Sequence, residues 1–285
     1  MRLLAAIVLA LSLVLVACGD DEEEPASQAA ESTPAADACA KDQLQTVKSG
    51  TLTVGTDKPA FPPYFEDDDP TNGKGFESAV AYAIARELGF EESEVEWTVV
   101  PFNASYRPGP KDFDFDVNQI SITPAREKRV DFSEPYYQAP QAVIAAKGSP
   151  AADATSLADL KDATIGVQIG TTSLDAVNAS IQPSEQPKVF DDSNAVVTAI
   201  KQDQVDAVVV DLPTALFLTA VELPGASVVG QFEAPGGDRW GALLEKDSAL
   251  TDCVSQAITK LKDSGELDEI TQQWMSESAD APVLQ

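Results

Sequence analysis

Hydrophobic and polar positions alternate along most of this chain in a way that predicts short strands separated by helices. Residues 95–100 and 207–210 are rich in valine and other strand-forming side chains, as expected of buried strands. Apolar positions three or four apart predict helices at residues 77–88 and 248–262, and Gly89 ends the first of them. This alternation is typical of α/β proteins in which helices cover open parallel sheets.

The first 17 residues have a different pattern, which is that of an export signal. Arg2 is followed by an uninterrupted apolar run at residues 3–16. The run is shorter than the roughly 20 residues needed to cross a bilayer, and it fits the hydrophobic part of a signal peptide. It ends at Leu15-Val-Ala-Cys18, which resembles a bacterial lipobox, although a plain secretory signal with a chance cysteine is the alternative. We therefore expect removal of residues 1–17 and a lipid on Cys18.

Residues 18–40 contain seven acidic side chains and no basic one. This composition does not bury enough apolar surface to order a chain, so it predicts a solvated tether rather than a metal site. If Cys18 carries lipid, Cys39 and Cys253 remain as a pair in an oxidising compartment, where we expect a disulfide. Two independent free thiols are the alternative, because geometry and not spacing decides whether a bridge forms.

The composition also narrows the function. The chain has 47 acidic and 19 basic side chains, a formal net charge of −28. A nucleic-acid partner is not expected, because phosphate binding requires a basic surface. The chain has no histidine and only three cysteines, which argues against conventional hydrolase chemistry and against a zinc site. We expect no metal and no cofactor.

Three short segments carry side chains suited to a small charged ligand. In the first, Ser121 and Arg126 flank Pro124, which is well placed to begin a helical turn. Amides at a helix start, a hydroxyl group and a guanidinium together form a receptor for a carboxylate. The alternative is that Arg126 pairs with Glu127 or Glu134 on the surface.

The second segment leaves a strand at Gly166 and enters a helix at Ser173. Its main-chain amides are suited to an anion, but it lacks the lysine and the glycine spacing of nucleotide-binding loops. An ordinary turn capped by a threonine is the alternative.

The third segment is Asp211, which ends the apolar strand at residues 207–210. Ligands of open α/β sheets gather at the carboxyl ends of strands, so Asp211 is placed to receive an ammonium group or else to cap the next helix.

From Thr51 to Met275, about four fifths of its length, the chain resembles the extracytoplasmic solute-binding proteins of polar amino-acid ABC transporters, family 3. The most specific match is Ile120-Ser-Ile-Thr-Pro-Ala-Arg126, which continues to Val130-Asp-Phe-Ser-Glu-Pro-Tyr136. The other matching segments are Leu52-Thr-Val-Gly-Thr-Asp57, Lys74-Gly-Phe-Glu77, Val100-Pro-Phe102, Leu157-Ala-Asp-Leu-Lys161, Gly166-Val-Gln-Ile-Gly-Thr-Thr172 and Val205-Asp-Ala-Val-Val-Val-Asp211.

The resemblance implies an α/β, two-lobed periplasmic-binding-protein fold of type II. In this fold two open sheets are joined by a two-strand hinge, and the lobes close on the ligand. Lobe 1 would contain residues 41–140 plus 234–278, lobe 2 residues 141–233, and residues 279–285 would form a C-terminal tail. The expected disulfide would then lie within lobe 1.

The resemblance also implies a set of ligand-binding residues. Arg126 would hold the α-carboxylate of an amino acid with help from Ser121 and Thr172, and Asp211 would take the α-ammonium. Phe61 and Phe102 would wall the side-chain pocket. The remaining residues that we expect at the ligand are Asp57, Asn118, Gln119, Gln168, Thr171 and Ser173.

The chain departs from the family pattern in two places. Asn118-Gln-Ile120 stands where many relatives have Ser-Gly-Met, and the two amide side chains would favour a polar ligand. Pro108 and Pro110 would break the helix that relatives usually form after the Pro-Phe pair. We interpret Arg107, in the same stretch, as a solvated loop residue, with contact to an acidic ligand group as the alternative.

The function implied is that of a lipid-anchored extracytoplasmic receptor, a monomer on the outer face of the cell membrane, that delivers an L-amino acid to an ABC permease. A cyclohexadienyl- or arogenate-dehydratase-like enzyme on the same scaffold is one alternative. Without histidine, such an enzyme would depend on Asp57, Asp211 or another carboxylate, and ammonium binding explains those carboxylates more simply. A ligand-sensing domain is the other alternative; its usual marker would be a membrane-spanning or kinase segment after the lobes, and we do not expect one here.

Overall fold

The computed structural model describes residues 38–275 and 281–285. The expected signal peptide, Cys18 and almost all of the expected tether lie outside the described residues. In chain order the labelled elements are β1 (Leu52–Thr56), α1 (Phe76–Glu87), β2 (Val95–Val99), α2 (Phe102–Ser105), β3 (Phe115–Asp116), α3 (Pro124–Glu127), β4 (Asp131–Ala139), β5 (Gln141–Ala145), β6 (Ile165–Gln168), α4 (Thr172–Ala176), β7 (Lys188–Phe190), α5 (Ser193–Lys201), β8 (Ala207–Asp211), α6 (Leu212–Phe217), β9 (Ser227–Phe232), β10 (Asp238–Leu244), α7 (Thr251–Ser264) and α8 (Glu266–Met275). None of the helices in these ranges has the length and apolar character needed to cross a bilayer.

The strands form two five-stranded sheets, which we call the sheets of lobe 1 and lobe 2. The lobe 1 sheet has the order β2-β1-β3-β10-β4, and the lobe 2 sheet has the order β7-β6-β8-β5-β9. The expected parallel pairing is found for β1, β2 and β3 and for β6, β7 and β8. The sheets are nevertheless mixed, because β10 and β5 each run antiparallel to both of their neighbours.

Two neighbouring connections join the lobes, as expected of a two-strand hinge. In one, β4 passes through the single residue Pro140 into β5, and in the other residues 233–237 link β9 to β10. Ala139 pairs with Asp238 on the lobe 1 side of the hinge. Gln141 pairs with Phe232 on the lobe 2 side, so the two connections lie side by side.

Local sequence explains where the helices begin. Gly75 precedes α1 with a φ of 94°, and a Cβ atom there would lie 2.4 Å from the carbonyl oxygen of Tyr64, so only glycine fits. Pro124 begins α3 as expected, and the Thr123 side chain caps it. The helix after Val100 is the single turn α2, which ends well before the two prolines.

The lobe 1 core packs α1, α7 and α8 against the sheet around the fully buried Trp240 and Phe76. Cys253 lies on α7 and is bonded to Cys39, with Cα atoms 5.3 Å apart, so the expected disulfide pairing is confirmed. The bridge fastens the first described residues to lobe 1.

Residues 281–285 lie against the β9 edge of the lobe 2 sheet. The amide of Gln231 donates to the Pro282 carbonyl at 2.7 Å, and the Leu284 amide donates back to the Gln231 carbonyl at 2.8 Å. Leu284 is buried in the lobe 2 core. A Cβ atom on Gly230 would lie 2.5 Å from Leu284 Cγ, so the tail fits closely over this glycine.

Candidate functional site

A cavity of about 420 Å³ lies between the two lobes and is lined by both. Its volume is in the range of pockets that hold small molecules. Apart from Arg126, every ligand residue expected from the sequence lines it, and these are Asp57, Phe61, Phe102, Asn118, Gln119, Ser121, Gln168, Thr171, Thr172, Ser173 and Asp211. Within residues 38–275 and 281–285, no group of acidic or cysteine side chains is arranged to hold a metal ion.

The lobes touch each other at the cavity through hydroxyl groups. Ser121 Oγ of lobe 1 lies 3.2 Å from Thr172 Oγ1 of lobe 2, within hydrogen-bonding distance. Tyr64 Oη of lobe 1 hydrogen bonds to Thr214 Oγ1 of lobe 2 at 2.8 Å. Each pair therefore brings hydroxyl groups of the two lobes together at the wall of the cavity.

Arg126 lies directly behind the cavity wall and is only 7% exposed. Its Nη1 donates to the Ser121 carbonyl at 2.7 Å, and its Nη2 reaches across to the Gly170 carbonyl of lobe 2 at 3.0 Å. The guanidinium also stacks near the rings of Phe102 and Tyr106, at 5.5 and 4.9 Å from their centroids. The alternative of a surface ion pair is therefore wrong, because the side chain is buried between the two lobes. Its contact with a ligand carboxylate stays a prediction.

The turn between β6 and α4 is both a threonine-capped turn and part of the cavity wall, so the two sequence interpretations apply together. Thr171 caps α4 through its hydroxyl, as in an ordinary turn, and it also lines the cavity. Gly170 has a φ of 76°, and a Cβ atom there would lie 2.4 Å from Tyr106 Oη and 2.7 Å from Asn103 Oδ1. The positive φ favours glycine here, and any other residue would also displace the ends of the Tyr106 and Asn103 side chains of lobe 1.

Asp211 ends β8 at the cavity, as expected from the strand pattern. Its side chain does not cap α6; instead it accepts a hydrogen bond from Gln141 Nε2 at 2.6 Å. Burial raises the pKa of Asp211 well above its usual value, and the nearby Asp238 carboxylate raises it further. A cationic ligand group would relieve both effects.

A buried carboxylate holds the segment that contains Asn118 and Gln119. Gln119 has a φ of 47°, and its main-chain amide donates to Glu77 Oε1 at 2.7 Å. Its side-chain amide and the Tyr136 hydroxyl also donate to Glu77. Both amide groups of Gln119 therefore already donate to Glu77. Asn118 Nδ2, in contrast, is buried at the cavity without a hydrogen-bond partner among the described residues.

Aromatic and polar groups lie together in another part of the cavity wall, around Phe61 and Asp57. Phe61 of lobe 1 faces Phe217 of lobe 2, with ring centroids 6.1 Å apart. Asp57 accepts hydrogen bonds from the main-chain amides of Lys58 and Phe102 at 2.7 and 3.0 Å, which fix its position. Sequence reasoning missed the lobe 2 residues before and within α5 that also line the cavity, which are Asp191, Asp192, Ser193, Asn194, Val196 and Val197.

Residues 52–277 match the family model of the bacterial extracellular solute-binding proteins, family 3. The chain belongs to this family. Among curated proteins it is 29% identical to the arginine-binding extracellular protein ArtP of Bacillus subtilis, over 79% of this chain and 86% of that protein. It is 28% identical to the L-cystine-binding protein TcyJ of Escherichia coli K12, over 81% of this chain and 85% of that one.

Solved structures agree with the two-lobed type II fold of this family 3 protein. An ancestral arginine-binding protein bound to arginine is 33% identical, with a TM-score of 0.66, over 79% of this chain and 98% of that one. ArtJ from Geobacillus stearothermophilus, an arginine-, lysine- and histidine-binding protein, is 25% identical with a TM-score of 0.66, over 81% and 97%.

These relatives confirm that the family 3 protein is a binding protein and not an enzyme. ArtP and TcyJ are both described as binding proteins. One similar structure, 29% identical with a TM-score of 0.64, is an ancestral amino-acid-binding protein described as a precursor of cyclohexadienyl dehydratase. The link to dehydratases thus runs through a protein that itself binds amino acids.

We expect the free energy of unfolding of this family 3 protein to contain a contribution from Glu77 that falls as pH rises from 5 to 8. Burial raises the pKa of Glu77 from 4.5 to about 7, so the folded chain holds this proton more tightly than the unfolded chain. The contribution is fully present below the unfolded pKa and is lost as pH rises through about 7. It amounts to about 3 kcal/mol.

Denaturant unfolding at each pH unit between 5 and 8 tests this with Glu77→Gln, which removes the titration. The variant should lose less stability across the range than the wild type, whereas Glu87→Gln on the same helix should follow the wild type. Parallel curves for the wild type and Glu77→Gln would show that Glu77 does not carry the effect.

Proposed function

We propose that this protein binds an L-amino acid in the cavity between its lobes and delivers it to an ABC permease. The observation that carries the proposal is that Arg126 of lobe 1 lies behind the wall of the cavity and Asp211 of lobe 2 lies at the cavity itself. A buried cation and a partly buried anion on opposite lobes are complementary to the carboxylate and ammonium that an α-amino acid presents on one carbon. The arginine- and cystine-binding relatives support this class of ligand.

The remaining groups define how such a ligand is held. Ser121 and Thr172 place hydroxyls from the two lobes beside the expected carboxylate position, 3.2 Å apart. Charge-assisted hydrogen bonds of this kind contribute about 1.5–3 kcal/mol each. Phe61 and Phe102 supply apolar walls, and the Asn118 side chain supplies an amide donor that has no partner among the described residues. This combination favours a ligand with a polar side chain.

The proposal includes the cellular setting. The protein would be held on the outer face of the membrane by a lipid on Cys18, with residues 18–40 as the tether, and would act as a monomer. We propose that lobe 1 comprises residues 41–140 plus 234–278 and lobe 2 comprises residues 141–233. The hinge connections described above support these boundaries.

A thermal-shift screen of the protein from Gly19 onward, unfolded and refolded to remove any bound molecule, tests the ligand. A ligand present at 100 times its Kd stabilises the folded state by about 2.7 kcal/mol, which is visible as a higher Tm. We expect a rise for one chemical group of L-amino acids and little for the others. If the refolded protein responds to none of the twenty standard L-amino acids and not to L-cystine, the amino-acid ligand is wrong.

The lipid anchor has a separate test. Cys18→Ser should move the protein from the membrane fraction to the soluble fraction, because serine has no thiol to carry the proposed lipid. Fractionation of cells that express the wild type or Cys18→Ser measures this, with the wild type as the reference. Membrane attachment that survives the substitution would show that another anchor exists.

A further inference from the structure

A buried hydrogen-bonded chain joins the cavity to the hinge. Gln141 is the first residue of β5 and follows Pro140, where the chain passes from lobe 1 to lobe 2. Its Nε2 donates to Asp211 Oδ1 at 2.6 Å and to Asp238 Oδ2 at 2.7 Å. An amide nitrogen carries two hydrogens, so each carboxylate receives one. Asp211 lines the cavity, whereas Asp238 begins β10 in the other hinge connection.

Most of the atoms in this hydrogen-bonded chain have no contact with water. Gln141 and Asp238 have no exposed surface. Asp238 Oδ1 and Gln141 Oε1 are buried without a hydrogen-bond partner among the described residues. Two carboxylates separated by one amide group repel each other, and in a buried setting water screens this repulsion poorly. A positive group beside Asp211 lowers the free energy of the whole arrangement.

We propose that Gln141 and Asp238 are positioning residues of the ligand site, which orient the Asp211 carboxylate and make it select a cationic α-amino group. The inference rests on the proposed function, since it takes Asp211 as the group that receives the ligand ammonium. Neither residue lines the cavity, so both act through Asp211 rather than by touching the ligand.

The same chain crosses the hinge. Gln141 pairs with Phe232 in the lobe 2 sheet, and Asp238 pairs with Ala139 in the lobe 1 sheet. The hydrogen bond from Gln141 to Asp238 therefore joins the two lobes at the point about which they would rotate. A ligand that fixes Asp211 also fixes its partner Gln141, which couples binding to the arrangement of the hinge.

Several charged groups face Asp211 and set its affinity for protons. Burial is the largest cause of its raised pKa, Asp238 is the next, and Glu77 adds to it. Arg126 acts in the opposite direction, and the buried Tyr64 hydroxyl also lies in the field of Asp211. A proton and a ligand ammonium compete for the same carboxylate, so affinity for an amino acid should fall as pH falls through the Asp211 pKa. The negative charge of Asp238 increases the affinity of Asp211 both for the proton and for the ligand ammonium.

The test compares the wild type with Asp238→Asn, which keeps the shape and an acceptor for Gln141 but removes the charge. Calorimetric titration with each of the twenty L-amino acids identifies the tightest binder, which is then titrated from pH 4.5 to 8.5 beside its deaminated analogue. We expect Asp238→Asn to weaken the amino acid about tenfold at pH 7.5 and to move the acid midpoint of binding about one pH unit lower, since one pKa unit corresponds to a tenfold change. The deaminated analogue should bind equally to both proteins.

Glu233→Gln is the matched control, because it removes the same charge from an exposed position in the same hinge connection. It should leave the affinity and the midpoint unchanged. Gln141→Met, which keeps the side-chain length without the amide, is a second variant in case Asp238→Asn does not fold. It should weaken the amino acid more than its deaminated analogue.

The outcomes separate the two proposals. If the wild type binds an amino acid but Asp238→Asn has the same affinity and the same acid midpoint, the positioning role is wrong and the proposed function stands. If the refolded wild type binds none of the amino acids, the proposed function fails and the positioning role fails with it. The wild-type titrations alone distinguish these two cases.

Discussion

Replacing Arg126 with alanine should raise the Kd for an amino acid by at least about 100-fold. The guanidinium is buried between the lobes, bonded to the Ser121 and Gly170 carbonyls and stacked against two aromatic rings. Loss of its charged hydrogen bonds to a carboxylate removes about 1.5–3 kcal/mol for each bond. The variant also loses the contact that draws the lobe 2 turn toward lobe 1.

Isothermal titration calorimetry of Arg126→Ala measures this, with circular dichroism to verify that the variant is folded. Arg129→Ala is the matched control, because Arg129 follows α3 on the exposed surface and should bind as the wild type does. A folded Arg126→Ala protein that keeps its affinity would contradict the role of Arg126 in holding the carboxylate.

Replacing Asp211 with asparagine should weaken α-amino acids about 100-fold while changing the affinity for the corresponding deaminated acids much less. The carboxylate is partly buried at the cavity, so an ammonium beside it would form a charged pair with limited screening by water. Asparagine keeps the shape but not the charge, and the lost charged hydrogen bond contributes about 1.5–3 kcal/mol, of which the upper end corresponds to about 100-fold in Kd.

Parallel titrations of the amino acid and its deaminated analogue give the two ratios. Asp203→Asn serves as control, since Asp203 is exposed in lobe 2 with a φ of 52°, a conformation that asparagine tolerates. Equal losses for both compounds would exclude a specific contact between Asp211 and the ammonium.

The sequence predicted those features of the site that local rules control. Asp211 was placed at the cavity because it ends an apolar strand, and ligands gather at such strand ends. The turn between a strand and a helix predicts a threonine cap, and Thr171 caps α4, whereas its expected place at the ligand comes from the family resemblance. The cysteine count supplied the disulfide pairing, and the family resemblance supplied the two lobes and the hinge.

Features that depend on contacts distant in sequence could not be predicted. Tyr106 meets Gly170 across the lobes, and Gln141 meets Asp238 across the hinge, and no local pattern links either pair. Strand direction was also missed, because periodicity gives the buried faces of a strand but not the direction of its neighbours. The antiparallel placement of β5 and β10 follows from the two hinge connections.

The five residues that close the described chain protect the lobe 2 sheet from unwanted pairing. An open edge strand offers unpaired amides and carbonyls to any other extended chain, and this is a common start of aggregation. Here Pro282 and Leu284 occupy those groups of Gln231, and the absence of a side chain on Gly230 leaves room for Leu284 to seat. Another extended chain would have to displace residues 281–285, which belong to the same molecule, before it could pair with Gln231.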